Sequence, residues 1–188
     1  MLLTTLLSSL MASTAMGASL TKVQYPNNAT SKVDMYVLSL TNMSLIPPSL
    51  ILTPRYIYVP DKVVSNPPLV VVIHSCQSTA QTYFQNSKIP WKGGSDKKGY
   101  ITVWPSSPHS GTCWDVSSKS SLSHNGGGDT QAISNMILYA IDKYKVDPAR
   151  VYVTGGSSGG MHCHDHLLLS LWNPKHNRPQ LTCERLQQ

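Results

Sequence analysis

The feature that most constrains the fold is a strand-turn-helix signature in the last quarter of the chain. A short β-branched run, Val151–Thr154, leads into Gly-Gly-Ser-Ser-Gly at residues 155–159, and an apolar stretch follows. Glycines at both ends of this Gly-x-Ser-x-Gly pattern allow a sharp turn with a strained central residue. Because the pattern lies between a predicted strand and a predicted helix, we interpret it as a nucleophile elbow with Ser157 as the nucleophile. The alternative is a glycine-rich turn between strand and helix that binds an anion or nothing.

Two backbone N–H groups are candidates for an oxyanion hole. The N–H of Ser158 would point at the charge that develops on a substrate, assisted by the N-terminus of the following helix. The second donor belongs in the loop after an earlier strand, and such a loop follows the apolar run Leu69–Ile73. We assign Cys76 as this donor, with Gln77 as the alternative. We expect His74 to be a packed structural histidine, because a catalytic base would come after the serine in the chain.

The alternation of strand and helix patterns predicts an α/β domain with a mainly parallel sheet. Continuous apolar runs rich in β-branched residues indicate strands that are buried on both faces, and apolar residues at helical spacing indicate an amphipathic helix. The predicted strands are 69–73, 100–104 and 151–154, and strands are also predicted to start at 35–37 and 56–59. The predicted helices are 80–87 and a helix that has Asp129 as its N-cap and apolar residues at helical spacing from Ala132 to Tyr144.

Composition and the N-terminus bound the class of protein. The 188 residues carry a net charge of +6 with only 13% charged residues and no run of lysine or arginine, so nucleic-acid binding is not expected. Residues 1–18 are apolar and uncharged, with small residues near their end, which predicts a signal peptide, a secreted protein and no membrane span; a buried helix is the alternative. Secretion makes the four cysteines disulfide candidates and the sequons at Asn28 and Asn42 glycosylation candidates.

Three sequence blocks carry a resemblance to a known family. They are PPLVVVIHSCQSTAQTYF, GYITVWPSSPHSGTCWDV and GGGDTQAISNMILYAIDKYKVDPARVYVTGGSSGGM. The chain resembles the fungal acetylxylan esterase and feruloyl esterase group of carbohydrate esterase family one, related to polyhydroxybutyrate-depolymerase-type esterases, over roughly residues 19–36 and 56–161. The resemblance implies an α/β-hydrolase fold that is incomplete here and extends through the nucleophile elbow. It also implies secretion, no metal or other cofactor, and Ser-His-Asp hydrolysis of acetyl or feruloyl esters on xylan, with Ser157 as nucleophile.

The resemblance implies further details around this serine. Cys113-Trp114-Asp115 matches a Cys-Trp block of the family, and these positions together with the secretory context imply a disulfide between Cys76 and Cys113. The family's His-Gly-Cys is His-Ser-Cys here. Trp104 is expected in the core, whereas Trp114 is expected at the mouth of the site as a substrate-binding residue. Sugar stacking on Trp114 would also serve the second function class, a non-catalytic carbohydrate-binding protein.

Two segments depart from the family pattern. The stretch 37–55 is aperiodic and interrupted by prolines, and joining Tyr36 to Ile57 would give one coherent strand. We interpret 37–55 as an insert, 19–161 as the esterase domain and 162–188 as a tail outside the family. A genuine hairpin or surface loop is the alternative for the insert. A retained intron and a shift of reading frame would together produce both departures.

The tail offers few candidates for the histidine and the carboxylate of a triad. They are His162, His164, Asp165, His166 and His176. A helix rises about 1.5 Å per residue, so the residues after the elbow are carried away from Ser157. No second group of ligands has the spacing of a zinc site, so no metal is expected. We therefore expect this chain to lack the triad Asp and His, to be inactive, and to expose an aggregation-prone sheet edge beside the nucleophile strand. The alternative is a binding protein or a remnant of the same fold.

Overall fold

A mixed sheet of seven strands forms the frame of the computed structural model, which describes residues 19–23, 35–39, 56–86, 88–165 and 181–185. The strands are β1 (Ser19–Val23), β2 (Met35–Ser39), β3 (Tyr56–Tyr58), β4 (Leu69–Ile73), β5 (Ile101–Trp104), β6 (Val151–Gly155) and β7 (Leu181–Arg185). The predicted signal peptide and the sequons at Asn28 and Asn42 lie outside the described residues.

The centre of the sheet consists of three of the strands that the sequence predicts. The strand order is β1-β2-β3-β5-β4-β6-β7, and β4 is parallel to both β5 and β6. Every residue of β4 is buried, as expected for a strand covered on both faces. Ile73 and Gly155, the last residues of β4 and β6, are register partners. The loop after β4 and the turn after β6 therefore leave the sheet side by side.

The helices described in the structure include two that the sequence pattern does not predict. They are α1 (Ala80–Gln85), α2 (Trp91–Lys98), α3 (Lys119–Leu122), α4 (Asp129–Tyr144) and α5 (Ser158–Asp165). The prediction that Asp129 is an N-cap is wrong by one residue: Gly128 is the N-cap, and the Asp129 carboxylate contacts His109 and the backbone of Asp115 instead. Among the described helices, none has both the length and the apolar character needed to cross a bilayer.

The core consists of two apolar clusters, and alternate residues of β4 contribute to each. Val71 belongs to the cluster that contains Ile133 and Ile137 of α4. Val72 belongs to the other cluster, together with Trp104. Because successive side chains of a strand point to opposite faces, the two clusters lie on opposite sides of the sheet. The prediction that Trp104 is a core residue is confirmed, since this side chain is fully buried.

The outer strands of the sheet add to what the sequence predicts. The two predicted strand starts at 35–37 and 56–59 belong to β2 and β3, which pair in parallel, and residues 37–39 of the interpreted insert are part of β2. The alternative that 37–55 forms a hairpin or a surface loop lies largely outside the described residues, which do not include 40–55. At the other edge, β7 pairs in parallel with β6, with Val151 opposite Leu181. The expected open edge beside β6 is therefore wrong, since part of the tail covers it.

Candidate active site

Ser157 lies at a tight turn between the end of β6 and the start of α5. Its side chain is exposed, and its φ is +48°, in the left-handed region that costs free energy for a residue with a Cβ atom. The turn is held from both sides: the N–H of Gly156 donates to the Ile73 carbonyl at 3.2 Å, and the N–H of Met161 donates to the Ser157 carbonyl at 3.0 Å. This is the local geometry expected of a nucleophile elbow.

The two outer glycines of the pattern are required by close backbone packing. A Cβ atom on Gly155 would lie 2.6 Å from the carbonyl carbon of Gly159. A Cβ atom on Gly159 would lie 2.5 Å from the His74 carbonyl oxygen and 2.6 Å from that of Ile73. The first helical turn of α5 therefore rests directly on the backbone of the loop after β4.

This loop carries the predicted second oxyanion donor. The N–H of Gln77 donates to the Gly111 carbonyl at 3.0 Å, so the alternative assignment to Gln77 is not supported. Among the described residues, the backbone N–H groups of Cys76 and Ser158 have no hydrogen-bond acceptor. The Ser158 hydroxyl lies 3.3 Å from Cys76 Sγ, which brings the residues of the two candidate donors into contact. Two N–H groups with unused hydrogen-bonding capacity beside an exposed serine are what an oxyanion hole needs.

A disulfide joins Cys76 to Cys113, with an S–S distance of 2.06 Å. It is the pairing that the family resemblance implies. The bond connects the loop after β4 to the loop after β5. The same two loops are joined by the hydrogen bond from Gln77 to Gly111. The backbone around Cys76 is therefore fixed by the disulfide and by a main-chain hydrogen bond.

His74 is a structural residue, as predicted. Its side chain is fully buried. Nε2 accepts a hydrogen bond from the N–H of Ser107 at 3.0 Å, which assigns the ring proton to Nδ1, and Nδ1 lies 2.8 Å from the Ser75 carbonyl. An imidazole with both nitrogens engaged by the backbone is not available as the base for Ser157.

Trp114 is a core residue, so its assignment to the site mouth is wrong. Only 3% of it is exposed, and its indole N–H donates to the His74 carbonyl at 2.8 Å. Its ring centroid lies 5.0 Å from that of His74 and 5.8 Å from that of His162. A buried indole finds an internal acceptor for its N–H, and its faces are then covered by neighbouring rings. No face of Trp114 is left for a sugar.

The histidines after the elbow do not assemble a triad with Ser157 in the described residues. His162 is fully buried, and its Nε2 lies 3.1 Å from the Thr130 hydroxyl. His164 and Asp165 belong to α5, whereas His166 and His176 lie outside the described residues. In the part of the chain that the structure describes, no three His, Cys, Asp or Glu side chains come together as metal ligands would.

One histidine-carboxylate pair is not predicted by the sequence. His109 Nε2 lies 2.8 Å from Asp129 Oδ2, and the same oxygen accepts the N–H of Asp115 at 3.0 Å. The pair joins the loop after β5 to the first residue of α4. Since the partners belong to different elements and share no motif, no local signal in the sequence could have identified them.

Asp115 stabilises the turn that precedes α3. Burial raises the pKa of this carboxyl, but hydrogen bonds from the hydroxyl and N–H of Ser118 and from the N–H of Ser117 outweigh it and lower the pKa to about 2. A depressed carboxyl pKa stabilises the fold above its usual value of 3.8, and this stabilisation is lost as the pH falls through about 2.

Replacing Asp115 with asparagine is therefore expected to lower the free energy of unfolding at neutral pH by about 1 kcal/mol. This free energy is about half of what the whole pKa shift of Asp115 corresponds to, because water screens a partly exposed carboxylate. The measurement is urea unfolding of both proteins at neutral pH and at several pH values below 4, where the difference should shrink. Asp142→Asn is the matched control, since the Asp142 side chain is 90% exposed beside Lys145, and it should change little. If the difference in free energy of unfolding between the two proteins grew as the pH fell, the stabilising role assigned to the Asp115 carboxylate would be contradicted.

Comparison with known proteins agrees with this geometry. The family model described as Esterase PHB depolymerase matches residues 54–171. Acetylxylan esterase A of Emericella nidulans is 51% identical over 106 residues, which are 56% of this chain and 34% of that protein. Acetylxylan esterase A of Talaromyces purpureogenus is 50% identical over 109 residues, 58% of this chain and 28% of that protein. This chain thus spans about a third of the length of these relatives.

Solved structures show the same fold. An acetyl xylan esterase from Aspergillus awamori superposes with a TM-score of 0.63 at 38% identity, covering 81% of this chain and 46% of that one. A poly(3-hydroxybutyrate) depolymerase from Bordetella parapertussis superposes with a TM-score of 0.51 at 18% identity, covering 78% of this chain and 46% of that one. The described residues form the part of an α/β-hydrolase fold that extends through the nucleophile elbow.

Proposed function

Because the chain belongs to the Esterase PHB depolymerase family, we propose that it derives from a secreted serine carboxylic ester hydrolase that removes acetyl or feruloyl esters from xylan. The observation that carries the proposal is the exposed Ser157 at positive φ, directly beside the unused N–H groups of Ser158 and Cys76. Acetyl esters are favoured over feruloyl esters because the similar fungal proteins are acetylxylan esterases. Extracellular location is supported by the Cys76–Cys113 disulfide.

The proposed chemistry begins with attack of the Ser157 hydroxyl oxygen on the carbonyl carbon of the ester. The carbonyl oxygen becomes an oxyanion, and the N–H groups of Ser158 and Cys76 stabilise it. The C–O bond to the sugar then breaks, the sugar leaves as an alcohol with a proton, and the acyl group stays on Ser157. Water hydrolyses this acyl-enzyme to release the carboxylic acid.

The need for a base that accepts the proton of Ser157 limits the ester hydrolysis that this chain can perform. The hydroxyl of Ser157 has to lose its proton to a base, and a histidine oriented by a carboxylate performs this step in Ser-His-Asp hydrolases. No histidine among the described residues is hydrogen-bonded to Ser157. We therefore propose that the chain reacts at Ser157 but turns over esters little or not at all.

The alternative of a carbohydrate-binding protein loses its main support, because Trp114 is buried.

The test is covalent labelling with an excess of a fluorophosphonate probe over long incubation, with the labelled peptide identified by mass spectrometry. We expect slow labelling at Ser157 only, because an oxyanion hole still accelerates the reaction of the serine in part when no base is present. Ser157→Ala should not be labelled, whereas Ser117→Ala, a change at an exposed loop serine, should be labelled like the original chain. An unlabelled chain, or equal labelling of Ser157→Ala, would contradict the proposed nucleophile. Hydrolysis of p-nitrophenyl acetate well above the Ser157→Ala background would contradict only the proposed lack of turnover.

A further inference from the structure

His109 is a half-exposed imidazole that a buried carboxylate holds in place. Its side chain is 46% exposed, whereas that of Asp129 is 1% exposed, and the two are joined between Nε2 and Oδ2 at 2.8 Å. Asp129 is the first residue of α4, where the helix N-terminus stabilises negative charge. A carboxylate acceptor places a proton on Nε2, which leaves the lone pair of the neutral ring on Nδ1. Among the described residues, this Nδ1 has no hydrogen-bond partner.

The turn that carries His109 is bonded to the loop after β4, which carries the proposed donor Cys76. The turn is closed by a hydrogen bond from the N–H of Thr112 to the His109 carbonyl at 3.0 Å. Within it, the Gly111 carbonyl accepts the N–H of Gln77, the neighbour of the proposed donor Cys76, at 3.0 Å. The residue after the turn, Cys113, is bonded covalently to Cys76. His109 thus stands on a segment that is bonded to the loop carrying the proposed oxyanion donor Cys76.

An oriented acceptor on such a segment has an evident use in an ester-hydrolysing site. In a sugar ester, the carbon next to the ester-bearing carbon commonly carries a free hydroxyl, which can donate a hydrogen bond. A site built to pair with such a hydroxyl discriminates against alcohols that lack it. We propose that His109 determines specificity by accepting, at Nδ1, a hydrogen bond from a hydroxyl of the ester-bearing sugar, and that Asp129 is its positioning residue. This inference rests on the proposed function, because that function supplies the sugar ester.

The experiment is an NMR titration of the full chain with mono-acetylated xylotriose, giving a Kd. In His109→Gln, the side-chain amide nitrogen can replace Nε2 as donor to Asp129, but nothing replaces Nδ1. We expect its Kd to rise about fivefold, the effect of one neutral hydrogen bond. His124→Gln, at an exposed histidine between α3 and α4, is the matched control and should bind as the original chain does.

A second variant separates contact with the sugar from support of the loop. In His109→Asn, the amide oxygen can take the place of Nδ1, but the side chain is too short to reach Asp129 as Nε2 does. We expect His109→Asn to bind more tightly than His109→Gln. The inference would be overturned if His109→Gln bound the sugar more tightly than His109→Asn. It would also be overturned if His109→Gln had an unchanged Kd, or if the original chain did not bind the sugar. Failure of the proposed function is seen separately, as an absence of fluorophosphonate labelling at Ser157 in the original chain.

Discussion

Replacing Gly159 with alanine is expected to lower the free energy of unfolding by about 3 kcal/mol, the upper end of the range for overpacking, and to abolish labelling of Ser157. The new Cβ atom would lie 2.5 Å from the His74 carbonyl oxygen and 2.6 Å from the Ile73 carbonyl oxygen. Neither oxygen can move cheaply, because the first accepts the Trp114 indole N–H and the second accepts the Gly156 N–H. The turn at Ser157 would have to separate from the loop after β4. Urea unfolding and fluorophosphonate labelling measure the two effects.

Gly93→Ala is the matched control for this prediction. Gly93 lies within α2, and a Cβ atom there would meet nothing within 4 Å. Alanine is favoured over glycine in a helix interior, so this variant should gain about 0.5–1 kcal/mol. A Gly159→Ala chain that unfolds at the same urea concentration as the original and labels at the same rate would show that the elbow does not rest on the loop after β4 in the way described.

Removing the disulfide is expected to have the other large effect. The Cys76–Cys113 bond spans a sequence separation of 37 residues, and closing a loop of that length in the unfolded chain corresponds to about 4 kcal/mol. For a chain of this size, the Tm of Cys76→Ala/Cys113→Ala should fall by about 8–16 °C. Labelling of Ser157 should also slow, because the backbone of Cys76 would lose one of its two attachments to the loop after β5. Differential scanning calorimetry and labelling rates test both expectations.

Thiol counting gives the control for the disulfide prediction. Without reducing agent, Cys76 and Cys113 in the original chain should resist alkylation, and after reduction both should be modified. If both are alkylated without reduction, or if the double variant melts at the temperature of the original chain, the bond does not contribute the expected stability.

The sequence predicts the centre of the sheet well because burial on both faces leaves a clear pattern. Leu69–Ile73 is a strand at the predicted boundaries, and the strands beginning at Ile101 and Val151 differ from prediction by one residue at one end. The elbow is also predictable, since only small residues fit where two backbones meet. The clash that a Cβ atom would cause at Gly155 and at Gly159 gives the physical reason for the pattern.

Other features could not be predicted because they depend on tertiary partners. α2 contains two adjacent glycines and no apolar period, so it is formed by its surroundings rather than by propensity. β7 alternates apolar and polar residues over only four positions, Leu181–Glu184, and it is recognised as a strand through its pairing with β6. The burial of Trp114 depends on an acceptor, the His74 carbonyl, that lies far away in the sequence. The same holds for His109 and Asp129, which the fold brings together from separate elements.

The left-handed backbone of Ser157 links the proposed reactivity of this serine to the completion of folding. This conformation is unfavourable in an isolated turn, and here it is held by the Ile73 carbonyl from a strand far upstream. In a partly folded chain, β6 and α5 would have formed but the loop after β4 would not have docked. Ser157 would then relax into an ordinary conformation, and the two proposed oxyanion donors would no longer lie beside it. The fraction of chains that a serine-directed probe can modify therefore counts native molecules in a preparation, independently of how much helix or strand the remaining molecules contain.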